Sequence, residues 1–191
     1  VPLVSVITRT VVDPADEAFD NPTKPIGPFY TESEATLIKA QYPEWKMIED
    51  SGRGYRRVVP SPLPLKIVEA KAIKPLLDAS ALVTVCGGGG IPVIESDTGY
   101  EGVEAVIDKD FSASKLAELV EADELVILTS VGDVFLNFGK PNQQALGTVS
   151  VSDMRSYLNQ GLFAAGSMKP KVAAAVSFVE KKKKKATITS L

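Results

Sequence analysis

The sequence predicts an α/β fold in which a mainly parallel sheet carries helices on both faces. Short apolar runs rich in β-branched residues alternate with amphipathic segments along residues 63–191, which is typical of β-α-β units. Residues 13–62 differ, because they are rich in proline, glycine, aromatic and charged residues. We therefore predict a core made of residues 1–12 and 63–191, with residues 13–62 as a small subdomain or lid.

The first 62 residues contain few regular patterns. Val1–Val12 is rich in β-branched residues and predicts a strand. Within residues 13–62, the pattern predicts a helix around Glu32–Ala40 and strand-like pieces at Trp45–Ile48 and Arg56–Val59. The segment NPTKPIGPFY, residues 21–30, has the composition of a proline-stiffened turn.

The pattern becomes regular after Pro64, where hydrophobic periodicity separates helices from strands. The predicted helices are Ile67–Leu77, Asp110–Val120 with Asp110 as its cap, Val151–Asn159 and Met168–Glu180. The predicted strands are Ala81–Cys86, Val103–Ile107, Glu124–Thr129, Val134–Phe138 and Ala186–Ser190.

Composition limits the function classes. The 191 residues are 45% hydrophobic and carry a formal charge of −3, so the chain has no general basic footprint for nucleic acid. No apolar run approaches the length of a membrane span, and the start lacks a signal-peptide pattern. The single cysteine, Cys86, excludes an internal disulfide and fits a reducing compartment. We expect a cytoplasmic protein without a nucleic-acid or membrane partner.

Two further features of the composition bear on chemistry. The chain contains no histidine, which removes the commonest general base. Lys181–Lys185 are five successive lysines, which we interpret as a solvated loop after a helix and to which we assign no function.

Ligands of open α/β sheets bind beyond the carboxyl ends of the strands. Gly87, Gly88, Gly89 and Gly90 directly follow a predicted strand there, and such a loop is either a backbone nest for an anion or a flexible turn. Its spacing matches neither a Walker A loop nor a Rossmann fingerprint. Next, Asp108-Lys109-Asp110 forms a strand-to-helix junction, which is either a cap with a surface ion pair or a lysine held towards a phosphate.

The segment GSMKPK at the start of the last predicted helix poses a third question. Ser167 is a good N-cap and Pro170 suits the first turn, whereas Lys169 and Lys171 stand where the helix dipole disfavours cations. Either an anion occupies this helix end, or both ammonium groups turn into solvent. A glycine nest and lysines at two helix N-termini together favour a polyphosphate ligand.

The motifs NPTKPIGPFY, SGRGYRRVVPSP, GGGGIPV, GVEAVIDKD, LNFGKPNQ and GSMKPKV, in this order, resemble the carbamate kinases of the amino acid kinase superfamily. The resemblance runs through essentially the whole chain. It implies a three-layer α/β/α sandwich with a protruding subdomain, here residues 13–62, and a homodimer. It also implies reversible phosphoryl transfer between ATP and carbamate, giving ADP and carbamoyl phosphate, with Mg²⁺, in arginine breakdown.

The same resemblance implies roles for individual residues. Lys24 matches a lysine that reaches into the active site, and Lys109 matches one that stabilises the transition state. Lys171 matches a lysine on the nucleotide phosphates, whereas Lys169 falls at a variable position. The implied nucleotide-binding residues are Asp108, Thr129, Val131, Phe138, Met168 and Lys171, with Gly87–Gly90 as the substrate and phosphate loop. No metal ligand is assigned, and Asp108 or Asp110 would orient Lys109.

The sequence departs from the family in three places. Two glycine-rich segments that open the family pattern are absent, so we expect this chain to be the C-terminal three fifths or so of the enzyme. Leu162 stands where a histidine is frequent, and the lysine run replaces a glycine-rich turn. Two alternatives stay open: another acyl-phosphate-forming kinase such as acetylglutamate kinase, and a non-catalytic nucleotide-binding module.

Overall fold

The structure, a computed structural model, describes residues 1–50, 52–164 and 166–190. Ser51, Ala165 and Leu191 fall within the predicted domain ranges and lie outside the described residues. The helices are α1 Glu32–Gln41, α2 Ala70–Asp78, α3 Lys109–Leu119, α4 Val151–Asn159 and α5 Met168–Lys182.

The strands follow the chain from the first residues to the last described ones. They are β1 Leu3–Ser5, β2 Arg9–Val11, β3 Lys24–Tyr30, β4 Lys46–Glu49, β5 Tyr55–Val59, β6 Lys66–Ile67, β7 Leu82–Thr84, β8 Ile91–Ser96, β9 Gly99–Gly102, β10 Glu124–Thr129, β11 Phe135–Leu136, β12 Gln144–Ala145 and β13 Lys185–Ser190.

Parallel pairing joins strands that are distant in sequence. The parallel pairs are β1 with β7, β2 with β8, and β10 with β13, the last running in register from Glu124↔Lys185 to Thr129↔Ser190. Parallel strands need crossover connections, and helices supply them here. The predicted α/β class is therefore confirmed. The described strands hydrogen-bond in separate small sheets, of which the largest has the order β6-β2-β8-β9.

Helix α5 holds the two apolar clusters of the C-terminal half. Its Ala174 and Phe178 pack with Leu125 and Ile127 of β10 and with Ala117 of α3. Along β10 the burial alternates as a strand with one covered face requires, so Leu125 and Ile127 are buried and Val126 and Leu128 are exposed.

The second cluster lies on the other side of α5. Val172 and Val176 pack there with Val134 and Phe163, and residues of α4 such as Met154 lie against them. Because α5 is buried from two sides, its N-terminal turn has a defined position.

Residues 24–59 form an antiparallel unit of their own. Strand β5 pairs with both β3 and β4, and α1 packs against this sheet. Thr31 and Glu34 form a complete capping box at the start of α1. The assignment of residues 13–62 as a separate subdomain stays a prediction.

The first half of the chain departs most from the predicted elements. The segment Val1–Val12 is two strands, since β1 pairs with β7 and β2 pairs with β6 and β8. The segment NPTKPIGPFY contains strand β3, whose register shifts between Ile26 and Tyr30 and so accommodates a proline within the strand. Helix α2 begins at Ala70 because Ile67 pairs with Thr10 in the sheet.

The region between the glycine loop and α3 also differs. Val103–Ile107 forms no strand, although Val106 N donates to Pro60 O at 3.0 Å. The hairpin β8–β9 lies just before it and was not predicted. Its second strand begins at Gly99, directly after the turn, with φ +131°, a conformation that glycine adopts readily.

Three local predictions are corrected at helix ends. Asp108, rather than Asp110, caps α3, because its side chain accepts from Asp110 N. Ser167 stands at the N-cap of α5 but makes no side-chain capping bond. The lysine run is not a loop: Lys182 ends α5, left-handed Lys183 turns the chain and Lys185 begins β13.

The C-terminal elements agree more closely. Strand β10 and helix α4 have the predicted bounds, whereas β11 covers only two residues of the predicted Val134–Phe138. Among the described helices, none combines the length and the apolar character that a membrane span requires.

Candidate active site

Two buried carboxylates mark the start of α3. Asp108 and Asp110 are 8% and 7% exposed. Asp108 Oδ1 accepts a hydrogen bond of 2.9 Å from the backbone N–H of Asp110, which satisfies one of the free N–H groups of the first turn. The positive end of the helix dipole also favours both anions.

Lys24 connects the antiparallel unit to this helix end. Its Nζ lies 2.5 Å from Asp108 Oδ2, although the two residues are 84 positions apart. Burial raises the pKa of Asp108, but the hydrogen bonds from Lys24 and from Asp110 N–H and the nearby positive charges outweigh this effect. The pKa of Asp108 therefore lies below its ordinary value, and the group stays ionised.

Asp110 brings together the two lysines from different helices. Its carboxylate accepts from Lys171 Nζ at 3.0 and 3.2 Å and from Lys109 Nζ at 3.3 Å. The Lys171 side chain is only 13% exposed, so it does not turn into solvent at the start of α5. The interpretation that the ammonium groups at this helix end turn into solvent is therefore wrong for Lys171.

The charges at this junction do not cancel. Lys24, Lys109 and Lys171 supply three ammonium groups against the two carboxylates, which leaves one positive charge. The Lys109 side chain is 60% exposed. Burial lowers its pKa, but the charge of Asp110 and its hydrogen bond to Lys109 reverse that effect and raise the pKa above the ordinary value. The net result is a fixed cationic position suited to a phosphate.

The glycine loop lies directly against the same junction. A Cβ at Gly89 would overlap the carbonyl oxygen of Ile107, the residue before Asp108, and Gly89 has φ +137°. Gly89 O accepts hydrogen bonds from Thr10 Oγ1 at 2.9 Å and Ser112 Oγ at 2.6 Å. Gly87, Gly88 and Gly90 line a cavity of about 490 Å³ whose walls include Ile107.

The sequence reasoning missed the hydroxyl groups that hold this loop. Thr10 and Ser112 are fully buried, and Thr8 Oγ1 accepts from Cys86 N at 3.1 Å. No pattern in the sequence marks these hydroxyls, because small polar residues also occur in ordinary strands and helices.

A second cavity, of about 250 Å³, lies at the N-terminus of α5, where Ser167 and Met168 line it. Four of the residues predicted to bind nucleotide line it together: Thr129, Val131, Phe138 and Met168. Two further aromatic residues, Phe135 and Phe163, also line it, and of these two the sequence reasoning missed Phe163. Asp108 and Lys171 do not line it, but Lys171 follows Met168 within one turn of α5. Most of the side chains that line this cavity are apolar, as is common in small-molecule sites.

Comparison with known proteins agrees with this geometry. The amino acid kinase family profile matches residues 17–190. Carbamate kinase 2 of Staphylococcus aureus (strain bovine RF122 / ET3-1) is 54% identical over 188 residues, which are 98% of this chain and 60% of that protein.

Solved structures show the same likeness. Carbamate kinase from Giardia lamblia bound to AMP-PNP superposes with a TM-score of 0.86 at 47% identity, over 99% of this chain and 60% of that one. The same enzyme bound to citric acid superposes with a TM-score of 0.91 at 46% identity, over 98% and 59%. The chain thus spans about three fifths of the length of these relatives. With its family profile matched from residue 17 to residue 190, the chain belongs to the amino acid kinase family.

Proposed function

We propose that the polypeptide containing this chain is a carbamate kinase, which interconverts ATP plus carbamate with ADP plus carbamoyl phosphate. The observation that carries the proposal is the shared carboxylate of Asp110, which holds Lys109 and Lys171 together beside the glycine loop. The carbamate kinases among the relatives support the choice of acceptor.

The residue types suit phosphoryl transfer. Such a reaction depends on positioning and on neutralising the charge of the transferred group more than on proton transfer. Carbamate is already an anion, so its oxygen attacks the γ-phosphorus without a general base, and the absence of histidine is no obstacle. Lys109, the more exposed of the two lysines on Asp110, faces the transferred group, whereas the more buried Lys171 binds nucleotide phosphate oxygens.

In this proposal, each of the two cavities binds a different substrate. The adenine and ribose occupy the cavity lined by Thr129, Val131, Phe138 and Met168, and the phosphates extend past Lys171. Carbamate or carbamoyl phosphate lies at Gly87–Gly90. Lys24 reaches the transferred group from the antiparallel unit when it leaves Asp108, so residues 13–62 act as a lid.

Mg²⁺ fits as a companion of the nucleotide. The described residues contain no group of three or more acidic, cysteine or histidine side chains that could form a metal cage. Mg²⁺ commonly binds through substrate phosphates, waters and one or two carboxylates, and Asp108 and Asp110 are the carboxylates at hand. When bound, it would neutralise charge on the phosphate oxygens.

Assembly and location belong to the same proposal. We propose a homodimer in the cytoplasm that acts in arginine breakdown, as the resemblance to carbamate kinases implies. The free, buried thiol of Cys86 is compatible with a reducing compartment.

The test is transfer of phosphate from carbamoyl phosphate to ADP. We expect Lys109→Ala to lower kcat by at least about 10²-fold while ADP still binds, because it removes a charge that acts on the transferred group. Lys171→Ala should weaken ADP binding as well. Lys169→Ala is the matched control, since Lys169 lies in the same helix turn and has no ion pair among the described residues. Full activity of the Lys109 variant would remove that residue from the mechanism.

A further inference from the structure

We propose that Thr10 and Ser112 are positioning residues that aim the backbone N–H of Gly90 at the anionic substrate. The inference rests on the proposed function and assigns to two buried hydroxyls the orientation of the phosphate loop. They touch neither substrate nor lysine, and they act through one peptide group.

The two hydroxyls converge on a single acceptor. Thr10 Oγ1 and Ser112 Oγ donate to Gly89 O at 2.9 and 2.6 Å, and both residues are fully buried. A carbonyl oxygen has two lone pairs, so this pair of donors saturates it. Thr10 comes from β2 and Ser112 from α3, so the carbonyl is held from two independent elements.

The fixed carbonyl also fixes the following N–H. Described peptide bonds are trans, so the Gly89 C=O and the Gly90 N–H point in opposite directions across one plane. The carbonyl points to the buried hydroxyls, and Gly90 lines the cavity of about 490 Å³. Within the described residues, the N–H groups of Gly87, Gly88 and Gly90 have no protein acceptor. An anion in the cavity would satisfy them.

The approach of these groups explains why glycine is required here. A Cβ at Gly90 would overlap Thr10 Oγ1, and a Cβ at Gly89 would lie 2.9 Å from the carbonyl carbon of Ile107. A side chain at Gly90 would push the loop away from Thr10, and a side chain at Gly89 would push it away from Ile107.

Ser112 also couples the loop to the lysines. It lies one helical turn after Asp108, and its backbone N–H donates to Asp108 O at 3.0 Å. The first turn of α3 therefore places the Lys109 ammonium and, through Ser112, the Gly90 N–H relative to each other. A transferred phosphoryl group would meet both in one fixed geometry.

Hydroxyl-deleting variants test the inference in the active polypeptide. Thr10→Val keeps the shape of the side chain and Ser112→Ala removes one oxygen. We expect each to lower kcat about fivefold to tenfold, the worth of one misdirected hydrogen bond, with the affinity for ADP unchanged. Thr10→Ser retains the hydroxyl and should restore activity relative to Thr10→Val.

Ser114→Ala is the matched control. Ser114 is buried on the same helix and donates to a backbone carbonyl, Ala174 O at 2.9 Å, but it does not touch the glycine loop. We expect a comparable loss of stability with kcat unchanged. If Ser114→Ala lowers kcat as much as Ser112→Ala, or if Ser112→Ala leaves kcat unchanged, the positioning role is wrong.

A second measurement separates this inference from the proposed function. In glycine-labelled protein, titration with inorganic phosphate should shift the amide resonance of Gly90 in the wild type, and much less in the Thr10→Val/Ser112→Ala double variant. That result supports the positioning role even if no carbamoyl phosphate is consumed, which would refute only the proposed function. An equal shift in both proteins, or no shift of Gly90 in the wild type, overturns the positioning role.

Discussion

Gly89 allows a sharp test of the loop at the scale of one residue. Gly89→Ala forces a side chain into φ +137° and against the Ile107 carbonyl, so we expect a loss of at least about 2 kcal/mol of unfolding free energy in urea. Gly88→Ala is the control, because its Cβ would meet nothing within 4 Å and its φ is not positive. We expect it to be neutral or slightly stabilising. Equal losses in the two variants would mean that the loop lies elsewhere.

The lowered pKa of Asp108 predicts how the unfolding free energy depends on pH. Its pKa is lowered from the ordinary value of 3.8, with the Lys24 and Asp110 N–H hydrogen bonds outweighing the effect of burial. The unfolded chain therefore binds this proton at higher pH than the folded one, so the stabilisation is complete above the unfolded pKa and is lost as pH falls through the folded pKa. We expect the stability gap between the wild type and Asp108→Asn to shrink as the pH is lowered below about 4.

The control for that experiment is another aspartate. The carboxylate of Asp123 also pairs with a lysine, Lys184, but its side chain is fully exposed. Asp123→Asn should change stability little, and added salt should remove the effect. Urea unfolding at several pH values measures both variants. A gap between the wild type and Asp108→Asn that does not change with pH would contradict the assignment of the ion pair.

At the scale of elements, helix α1 depends on its capping box. Thr31 accepts from Glu34 N at 3.3 Å, and Glu34 Oε2 accepts from Thr31 N at 2.8 Å. Thr31→Ala should cost about 1 kcal/mol, seen as faster hydrogen exchange in α1. Thr36→Ala is the control. The Thr36 hydroxyl donates to Glu32 O within the helix and so competes with the backbone hydrogen bond to that carbonyl. Thr36→Ala should not speed exchange.

The accuracy of the predicted elements followed the strength of their local pattern. Strand β10 and helix α4 were predictable to the residue, since apolar runs and periodic faces leave little choice there. Strand β3 and the β8–β9 hairpin could not be found from the same signals. The first contains two prolines, and the second is mostly exposed, so each forms through pairing with another strand and not through a local apolar pattern.

The candidate site shows the same division. The residues at strand ends and helix starts were visible as glycines, lysines and aspartates in sequence. That Asp110 would accept from a lysine 61 positions away depends on how α3 packs on α5, which no local pattern encodes. Thr10 and Ser112 were invisible for the same reason, because a buried hydroxyl resembles any small core residue until its acceptor is known. The roles of the site residues stay predictions.

The whole molecule carries an apolar surface that its own elements leave open. Leu3 of β1 and Leu82 of β7 lie opposite each other in register and are 77% and 61% exposed, and Ile7 nearby is 82% exposed. On β10, Val126 and Leu128 form a second uncovered face. Adjacent exposed apolar residues on strands commonly mark interaction surfaces and promote association.

The 191-residue chain alone should therefore bind a hydrophobic dye and associate as its concentration rises. Leu3→Lys/Leu82→Glu places opposite charges on neighbouring strands, which keeps the pair compatible with the sheet while removing the apolar surface. We expect this variant to bind less dye and to sediment closer to the monomer. Leu37→Lys is the control, since Leu37 is equally exposed but lies on α1 in the antiparallel unit. A wild-type chain that stays monomeric at high concentration would contradict this prediction. If dye binding and association fall as much in Leu37→Lys as in Leu3→Lys/Leu82→Glu, association does not depend on β1 and β7.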